Sequence, residues 1–177
     1  VKGVLKVVAL DSTPPPSEFG PLGGVAVVAS NTWAAIKGRE ALKITWDNGA
    51  NAKYSSDSYK AALEAAVRKP GKVVRDQGNV DAAMASAARR FEAEYYVPHL
   101  AHATIEPAAA VAQVRDGVCE AWACVQSPQA AKVRLSKFLG IPAEKVTVNV
   151  TLLGGGFGRK SKPDFVVEAG LLSKAMD

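Results

Sequence analysis

The strongest chemical signal in the sequence is a glycine-rich loop, GGGFGRK, at residues 154–160. Four glycines within five residues let the backbone adopt positive φ and come close to a ligand. Backbone amides in such a loop, followed by a helix, favour an anion, and Arg159 and Lys160 add positive charge. The pattern is neither a P-loop nor a dinucleotide-binding fingerprint, because both need glycine where Arg159 stands. It predicts either a ligand-cradling loop or a tight turn between a closely packed strand and helix.

A second candidate is Gln126, in the stretch WACVQSPQ at residues 122–129. There a predicted strand passes into a predicted helix whose first residue is Pro128. A neutral side-chain amide at such a junction can donate to an oxygen without bringing charge. The alternative is a structural glutamine whose hydrogen bonds are made within the protein.

Two histidines and a glutamate lie close together in PHLAHATIEP, residues 98–107. The combination of His99, His102 and Glu106 could suggest zinc, but the spacing is not HExxH. The segment follows a predicted strand and is bounded by prolines, so helical ligation is not expected. We predict loop histidines beside a cleft or in structural roles.

The two cysteines, Cys119 and Cys124, lie five residues apart in a predicted strand. An odd separation places them on opposite faces of a strand, where they cannot readily bridge or chelate one metal. We predict two buried thiols. Two cysteines cannot supply the four thiolates of an iron–sulfur cluster, so any such cluster would lie on another chain or segment.

Composition and charge are those of an ordinary globular protein, with 48% hydrophobic and 22% charged residues. The net charge is +5, but the basic residues are scattered, which predicts a solvated surface rather than a nucleic-acid site. No apolar run reaches the roughly 18 residues that a membrane span needs. The chain begins at Val1 without a visible signal peptide and stops in a predicted helix, so we expect a truncated piece.

Local patterning predicts a mixture of strands and helices. The strands are predicted at residues 4–10, 24–29, 42–47, 72–75, 91–97, 108–113, 118–126 and 145–153. Helices are predicted to begin at Asn31, Asp57, Asn79 or Asp81, Ser127, and Pro163 or Asp164. The helix that begins at Asn79 or Asp81 is expected to run to about Arg90. The order lacks the regular rhythm of a βαβ protein, which predicts the α+β class with a boundary near residues 48–75.

The motifs together resemble the xanthine dehydrogenase and aldehyde oxidase superfamily of molybdenum hydroxylases. The resemblance lies in PHLAHATIEPAAAVAQV and in EAWACVQSPQAAKVRLSKFLGIPAEKVTVNVTLLGGGFGRK, with Gln126 placed 28 residues before Gly154. The earlier stretch VAVVASNTWAAIKGREALKITWDNG is similar to the end of the family's small hammerhead domain. That stretch and the GGGFGRK motif most resemble the isoquinoline 1-oxidoreductase branch.

The resemblance implies a domain order within the α+β class. Residues 1–50 would be the end of a hammerhead-like α/β domain, and residues 51–75 a connector. Residues 76–177 would be the first part of a truncated molybdopterin-binding domain.

The resemblance also assigns the site residues. Gln126 matches the glutamine that hydrogen-bonds an oxygen on molybdenum, and Phe157 matches an aromatic residue beside the active site. Arg159 replaces a more usual glycine, and its guanidinium could meet the pterin phosphate or the substrate. Ser161 stands where xanthine-type enzymes carry a substrate-contacting glutamate, which argues against xanthine. The implied cofactor-binding residues are Gln126, Gly155, Gly156, Phe157, Gly158 and Arg159, and no metal ligand is expected.

The implied function is that of a piece of the molybdopterin-binding subunit of an oxidoreductase. It would hydroxylate an N-heterocyclic aromatic such as isoquinoline, or an aldehyde, with water as the oxygen source. The implied cofactors are molybdopterin in its cytosine dinucleotide form with molybdenum, and 2Fe-2S clusters on a small partner subunit. The other partners would be the rest of the large subunit and the substrate, in a bacterial cytoplasm or periplasm, and no nucleic acid is expected.

The family's catalytic base is a glutamate late in its sequence, and nothing in this chain matches it. Neither Glu106 nor Glu168 is assigned that role, so we expect the isolated chain to be inactive. The alternative interpretation is a non-catalytic anion- or ligand-binding module that shares only the glycine-rich turn.

Overall fold

The computed structural model describes residues 1–176, which form two compact units. The larger unit joins Val1–Ile44 to the stretch that begins at His102, and the smaller unit is Thr45–Ala101. Helices and strands are mixed, in agreement with the predicted α+β class. Within residues 1–176, no helix is both long and apolar enough to cross a membrane.

The first part of the larger unit is a strand pair followed by a helix. Strands β1 (Val4–Leu10) and β2 (Gly24–Ala29) pair antiparallel, with the predicted bounds. Helix α1 (Thr32–Glu40) begins where predicted, because the Asn31 side chain accepts a hydrogen bond of 2.9 Å from the amide of Ala34.

The second part of the larger unit contains a three-stranded sheet in the order β3-β4-β5. Strands β3 (Ala110–Arg115) and β4 (Val118–Ala123) are antiparallel and are joined by the predicted turn at residues 116–117. Strand β5 (Val146–Val150) lies parallel to β4. The chain crosses from β4 to β5 through helix α4 (Pro128–Leu139), since parallel neighbours need a long connection.

Helices α4 and α5 (Asp164–Lys174) pack on this sheet and on each other, and they enclose the hydrophobic core. Gly170 permits the close approach of the two helices, because a Cβ there would lie 2.9 Å from Cδ2 of Leu135. Cys119 and Cys124 are both free and buried, as predicted. Within the described chain, the largest buried aliphatic side chains of this core are Leu135, Val146, Val166 and Val167.

The smaller unit contains helices α2 (Ser56–Val67) and α3 (Val80–Ser86). The side chain of Asn79 caps α3, as predicted, but the helix ends before the expected Arg90. Ser55, rather than the predicted Asp57, occupies the N-cap position of α2.

Three predicted strands were wrong, at residues 42–47, 72–75 and 91–97. Their β-branched and aromatic composition favours strands, but a strand is stable only when a neighbour satisfies its backbone hydrogen bonds. Within residues 1–176 none of the three lies in a sheet, and their side chains are largely exposed: Val74 is 91% and Tyr95 is 92% accessible. The predicted bounds of β3, β4 and β5 were also off by one to three residues.

Candidate functional site

The two motifs that carry the predicted chemistry meet at one edge of the sheet. Gln126 lies just beyond the end of β4, and residues 154–158 follow the end of β5. Because β4 and β5 are parallel neighbours, their carboxyl ends lie side by side, as the hydrogen bond from Thr151 N to Ala123 O (3.2 Å) shows. The sheet thus brings together residues that are far apart in sequence.

Gln126 contacts the loop directly through both its side chain and its backbone. Its Oε1 accepts a hydrogen bond of 3.0 Å from the amide of Gly158, and its own amide donates to Lys160 O at 3.0 Å. A Cβ at position 156 would lie 2.4 Å from Gln126 Oε1. Only glycine at position 156 therefore allows the glutamine side chain to lie against the loop.

The hydrogen bond from Gly158 also orients the Gln126 amide. Because Oε1 accepts from the loop, the Nε2 group with its two donors is the other end of the amide. Gln126 is exposed, so these donors are accessible to a ligand oxygen. The loop therefore makes Gln126 a donor at this surface.

The loop backbone adopts the conformations for which its glycines were expected. Gly155, Phe157 and Gly158 have φ values of 91°, 48° and 85°. Positive φ is costly for a phenylalanine, and strain of this kind is common at ligand-binding sites. The Phe157 side chain is 70% exposed, and a Cβ at Gly158 would meet nothing within 4 Å. The surface beside Phe157 and Gly158 is therefore open to a ligand.

Arg159 is tied to the first turn of α5. Its two terminal nitrogens each donate to one oxygen of Asp164, both at 2.9 Å, in a bidentate ion pair. The guanidinium also donates to Lys162 O at 3.3 Å. The structure therefore shows Arg159 bound to protein groups, and its contact with a ligand stays a prediction.

Behind the loop lies an ion pair between a buried lysine and a half-buried glutamate, which sequence reasoning missed. Glu106 Oε2 accepts hydrogen bonds from Gly154 N at 2.8 Å and from Lys160 Nζ at 2.5 Å. The Lys160 side chain is 0% exposed, although it had been expected to add charge at the loop surface. Nothing local in the sequence distinguishes Lys160 from its exposed neighbour Lys162, because its partner is 54 residues away.

Each charge of the Glu106–Lys160 pair favours the ionised form of the other group. The Lys160 ammonium and, after it, the amide of Gly154 hold the pKa of Glu106 below its ordinary value. Burial acts to lower the pKa of Lys160, but the Glu106 carboxylate and the nearby Cys124 side chain outweigh it, so this pKa is raised. Both groups are therefore charged at neutral pH.

Comparison with known proteins identifies the family. A family model described as the molybdopterin cofactor-binding domain matches residues 38–177. The chain belongs to this family. The predicted resemblance to molybdenum hydroxylases is thus confirmed, and helix–strand architecture and motifs agree with it.

Two relatives and one solved structure are similar to this molybdopterin cofactor-binding domain. The membrane-bound aldehyde dehydrogenase [pyrroloquinoline-quinone] of Gluconacetobacter polyoxogenes is 34% identical over 99% of the chain and 22% of its own length. Isoquinoline 1-oxidoreductase subunit beta of Brevundimonas diminuta is 31% identical over 86% of the chain and 21% of its own length. The chain therefore spans about a fifth of the length of these relatives.

The solved structure of quinoline 2-oxidoreductase from Pseudomonas putida 86 has a similar fold. Its TM-score is 0.60 at 20% sequence identity, and the match covers 99% of this chain and 26% of that one. At this identity the likeness concerns the fold alone.

The loop and Gln126 fit a molybdopterin cofactor. A cofactor that carries phosphate and oxygen acceptors needs hydrogen-bond donors, and the Nε2 group of the exposed Gln126 is such a donor. The two carboxylates that contact the loop are both paired with cations, Glu106 with Lys160 and Asp164 with Arg159, and these cations offset the negative charge.

His99 lies in a loop of the smaller unit. The ring of His99 packs against Tyr59 with centroids 5.2 Å apart, within the smaller unit. Among residues 1–176, no group of three or more His, Cys, Asp or Glu side chains could hold a metal ion.

Proposed function

We propose that this chain is part of the molybdopterin-binding subunit of an oxidoreductase that hydroxylates an N-heterocyclic aromatic or an aldehyde, with water as the oxygen source. The observation that carries the proposal is the contact between Gln126 and Gly158 at the ends of two parallel strands. The names of the two relatives, an isoquinoline oxidoreductase and an aldehyde dehydrogenase, support both substrate classes.

Each site residue has a proposed task. Gln126 donates from Nε2 to an oxygen of the bound cofactor, and the exposed Phe157 ring borders the space for substrate. Gly155, Gly156 and Gly158 let the backbone approach the pterin, and Arg159 supplies positive charge near its phosphate. When bound, the cofactor supplies the two-electron redox chemistry, and the protein positions and polarises it.

The remaining assignments are part of the same proposal. Residues 1–50 would be the end of a hammerhead-like domain, residues 51–75 a connector, and residues 76–177 the first part of the cofactor-binding domain. Molybdopterin would be bound as its cytosine dinucleotide, and 2Fe-2S clusters on a small partner subunit would remove the electrons. The rest of the large subunit would supply the catalytic base.

A non-catalytic anion-binding module is not favoured, because the family match extends over residues 38–177 rather than over the glycine-rich turn alone. The decisive experiment measures molybdenum, released pterin and nucleotide in the large subunit that contains this chain. We expect molybdenum and a pterin in the wild type and their loss in Gly156→Val, because that side chain would displace Gln126.

Gly71→Val is the matched control, because a Cβ at Gly71 would meet nothing within 4 Å. Full retention of molybdenum and pterin in Gly156→Val would contradict the assigned site. A quinone in place of molybdenum would contradict the proposed cofactor and would instead agree with the pyrroloquinoline quinone in one relative's name.

A further inference from the structure

We propose that Glu106 and Lys160 are a pair of positioning residues that hold the glycine-rich loop against Gln126. The inference deepens the proposed function, and rests on it for its meaning, because the loop in question is the proposed cofactor-facing loop. The groups that hold the loop all lie within this chain. Their effect on the loop can therefore be tested without any cofactor.

One carboxylate oxygen connects the two ends of the loop. Glu106 Oε2 accepts from the amide of Gly154, the first residue of the loop, and from Nζ of Lys160, the last residue of the loop. The Glu106 amide in turn donates to Gly154 O at 3.4 Å. The segment before β3 therefore holds both ends of the loop through a single residue.

The connection continues from Lys160 to Gln126. The carbonyl of Lys160 accepts from the amide of Gln126 at 3.0 Å, while the Gln126 side chain accepts from Gly158 at 3.0 Å. A movement of the Lys160 backbone would therefore shift Gln126 and the loop relative to each other. This is the physical link between the Glu106–Lys160 pair and the exposed amide of Gln126.

Burial of Lys160 makes the pair selective for one geometry. An ammonium in a fully buried site is strongly unfavourable unless a carboxylate and further polar groups satisfy it. Glu106 is that carboxylate, and the Cys124 side chain at the end of β4 is the other polar group beside Lys160. When Glu106 is replaced, we expect Lys160 to move toward solvent and to displace its own backbone.

A second anchor lies next to the first but leads to a different element. Arg159 connects the loop to Asp164 in α5, whereas Lys160 connects it to the segment that contains Glu106. The two anchors should therefore have separable effects. Loss of the Arg159 pair should loosen the start of α5, whereas loss of the Lys160 pair should release Gly158 and Gln126.

The test is native-state amide exchange of Gly158 by NMR, together with the side-chain NH2 resonances of Gln126, in this chain without cofactor. The variants are Glu106→Gln, Lys160→Met and the double variant. We expect each single variant to accelerate Gly158 exchange by about tenfold or more and to shift the Gln126 resonances. The reason is that loss of the ion pair makes local opening of the loop more frequent while the rest of the fold stays intact. The double variant should exchange no faster than the faster single variant, since both changes remove the same connection.

The matched control is Val114→Ala, a buried core change in β3 at the end of the sheet far from the loop. It should lower global stability without a selective effect on Gly158. If Glu106→Gln and Val114→Ala accelerate Gly158 exchange equally at matched stability, the positioning role is wrong. If Glu106→Gln does not fold, the double variant, which has no unpaired buried charge, makes the same comparison with the same two outcomes.

The result is independent of the proposed function. A large subunit without molybdenum would refute the cofactor assignment and would leave the exchange pattern unchanged. Conversely, a loop that stays closed in these variants would refute the positioning role and would leave the molybdenum content of the wild type unchanged.

Discussion

Gly156 lies so close to Gln126 that a Cβ at position 156 would be 2.4 Å from the side-chain oxygen of the glutamine. The same oxygen accepts the hydrogen bond from Gly158. The position of the Gln126 amide therefore depends on the absence of a side chain one residue before Phe157. This relationship connects the two motifs on which the proposed site rests.

The first prediction concerns Gly156→Ala. The methyl group should push the flexible Gln126 side chain aside and break its hydrogen bond to Gly158, at a cost of about 0.5–1.5 kcal/mol in unfolding free energy. Urea denaturation measures this loss, and the side-chain amide resonances of Gln126 should shift. Gly71→Ala, in open space, should leave both unchanged. Unshifted Gln126 resonances in Gly156→Ala would mean that the loop, not the glutamine, had moved.

The second prediction separates two roles for Arg159. Asp164→Asn and Arg159→Lys both break the bidentate pair, so each should lower the unfolding free energy by about 1 kcal/mol. If Arg159 also contacts the cofactor, only Arg159→Lys should lower the pterin content of the large subunit. Equal pterin content in both variants would restrict Arg159 to its bond with α5.

The third prediction is a loss of stability in acid that depends on Glu106. Its folded pKa lies below the ordinary value of 4.5, so its stabilisation is present above that value and is lost as the pH falls through the folded pKa. Lys160 has a raised pKa, so its effect on stability appears at alkaline pH. Its stabilisation of the fold is complete below 10.5 and is lost as the pH rises through the folded pKa.

Urea midpoints between pH 3 and pH 7 check this prediction. The difference between the wild type and Glu106→Gln should be largest near neutral pH and should shrink as the pH falls below about 4.5. A constant difference across this range would show that the carboxylate charge contributes nothing.

The fourth prediction has the opposite sign and concerns Glu168. Burial, and then the neighbouring Asp164, raises the pKa of this carboxyl, so its ionisation opposes folding above its ordinary value of 4.5. Stability is therefore greater below 4.5 and decreases as the pH rises toward the folded pKa. Glu168→Gln should be more stable than the wild type at pH 7, with a gain that disappears in acid, as thermal denaturation at both pH values would show. A less stable variant at pH 7 would mean that the charged form is the one the fold favours.

The fifth prediction concerns activity of the isolated chain. Because no residue here is assigned as the catalytic base, the chain alone should not oxidise isoquinoline with a dye as electron acceptor. The comparison sample is the proposed large subunit together with the proposed iron–sulfur subunit, tested in the same assay. Turnover by the isolated chain would require a base among residues 1–177. It would contradict the proposal that the rest of the large subunit supplies the catalytic base.

Local signals were sufficient for the elements whose bounds were predicted correctly. Strands β1 and β2 are apolar and rich in valine, α1 has a capping asparagine, and α4 has an N-terminal proline. The three wrong strands have the same kind of composition. These three segments do not form strands because a strand needs a neighbouring strand to pair with, and composition does not show whether such a neighbour is present.

The sequence by itself determined the family, the two motifs and most local elements, because glycine spacing, caps and β-branched runs act over a few residues. Only the tertiary structure decided that Gln126 meets Gly158, since that contact depends on the parallel pairing of β4 with β5. It also decided that Lys160, rather than Arg159, is buried and paired with Glu106, whose side chain is half-buried. Adjacent basic residues have similar local propensities, and only the packing of distant segments determines which of their side chains is buried.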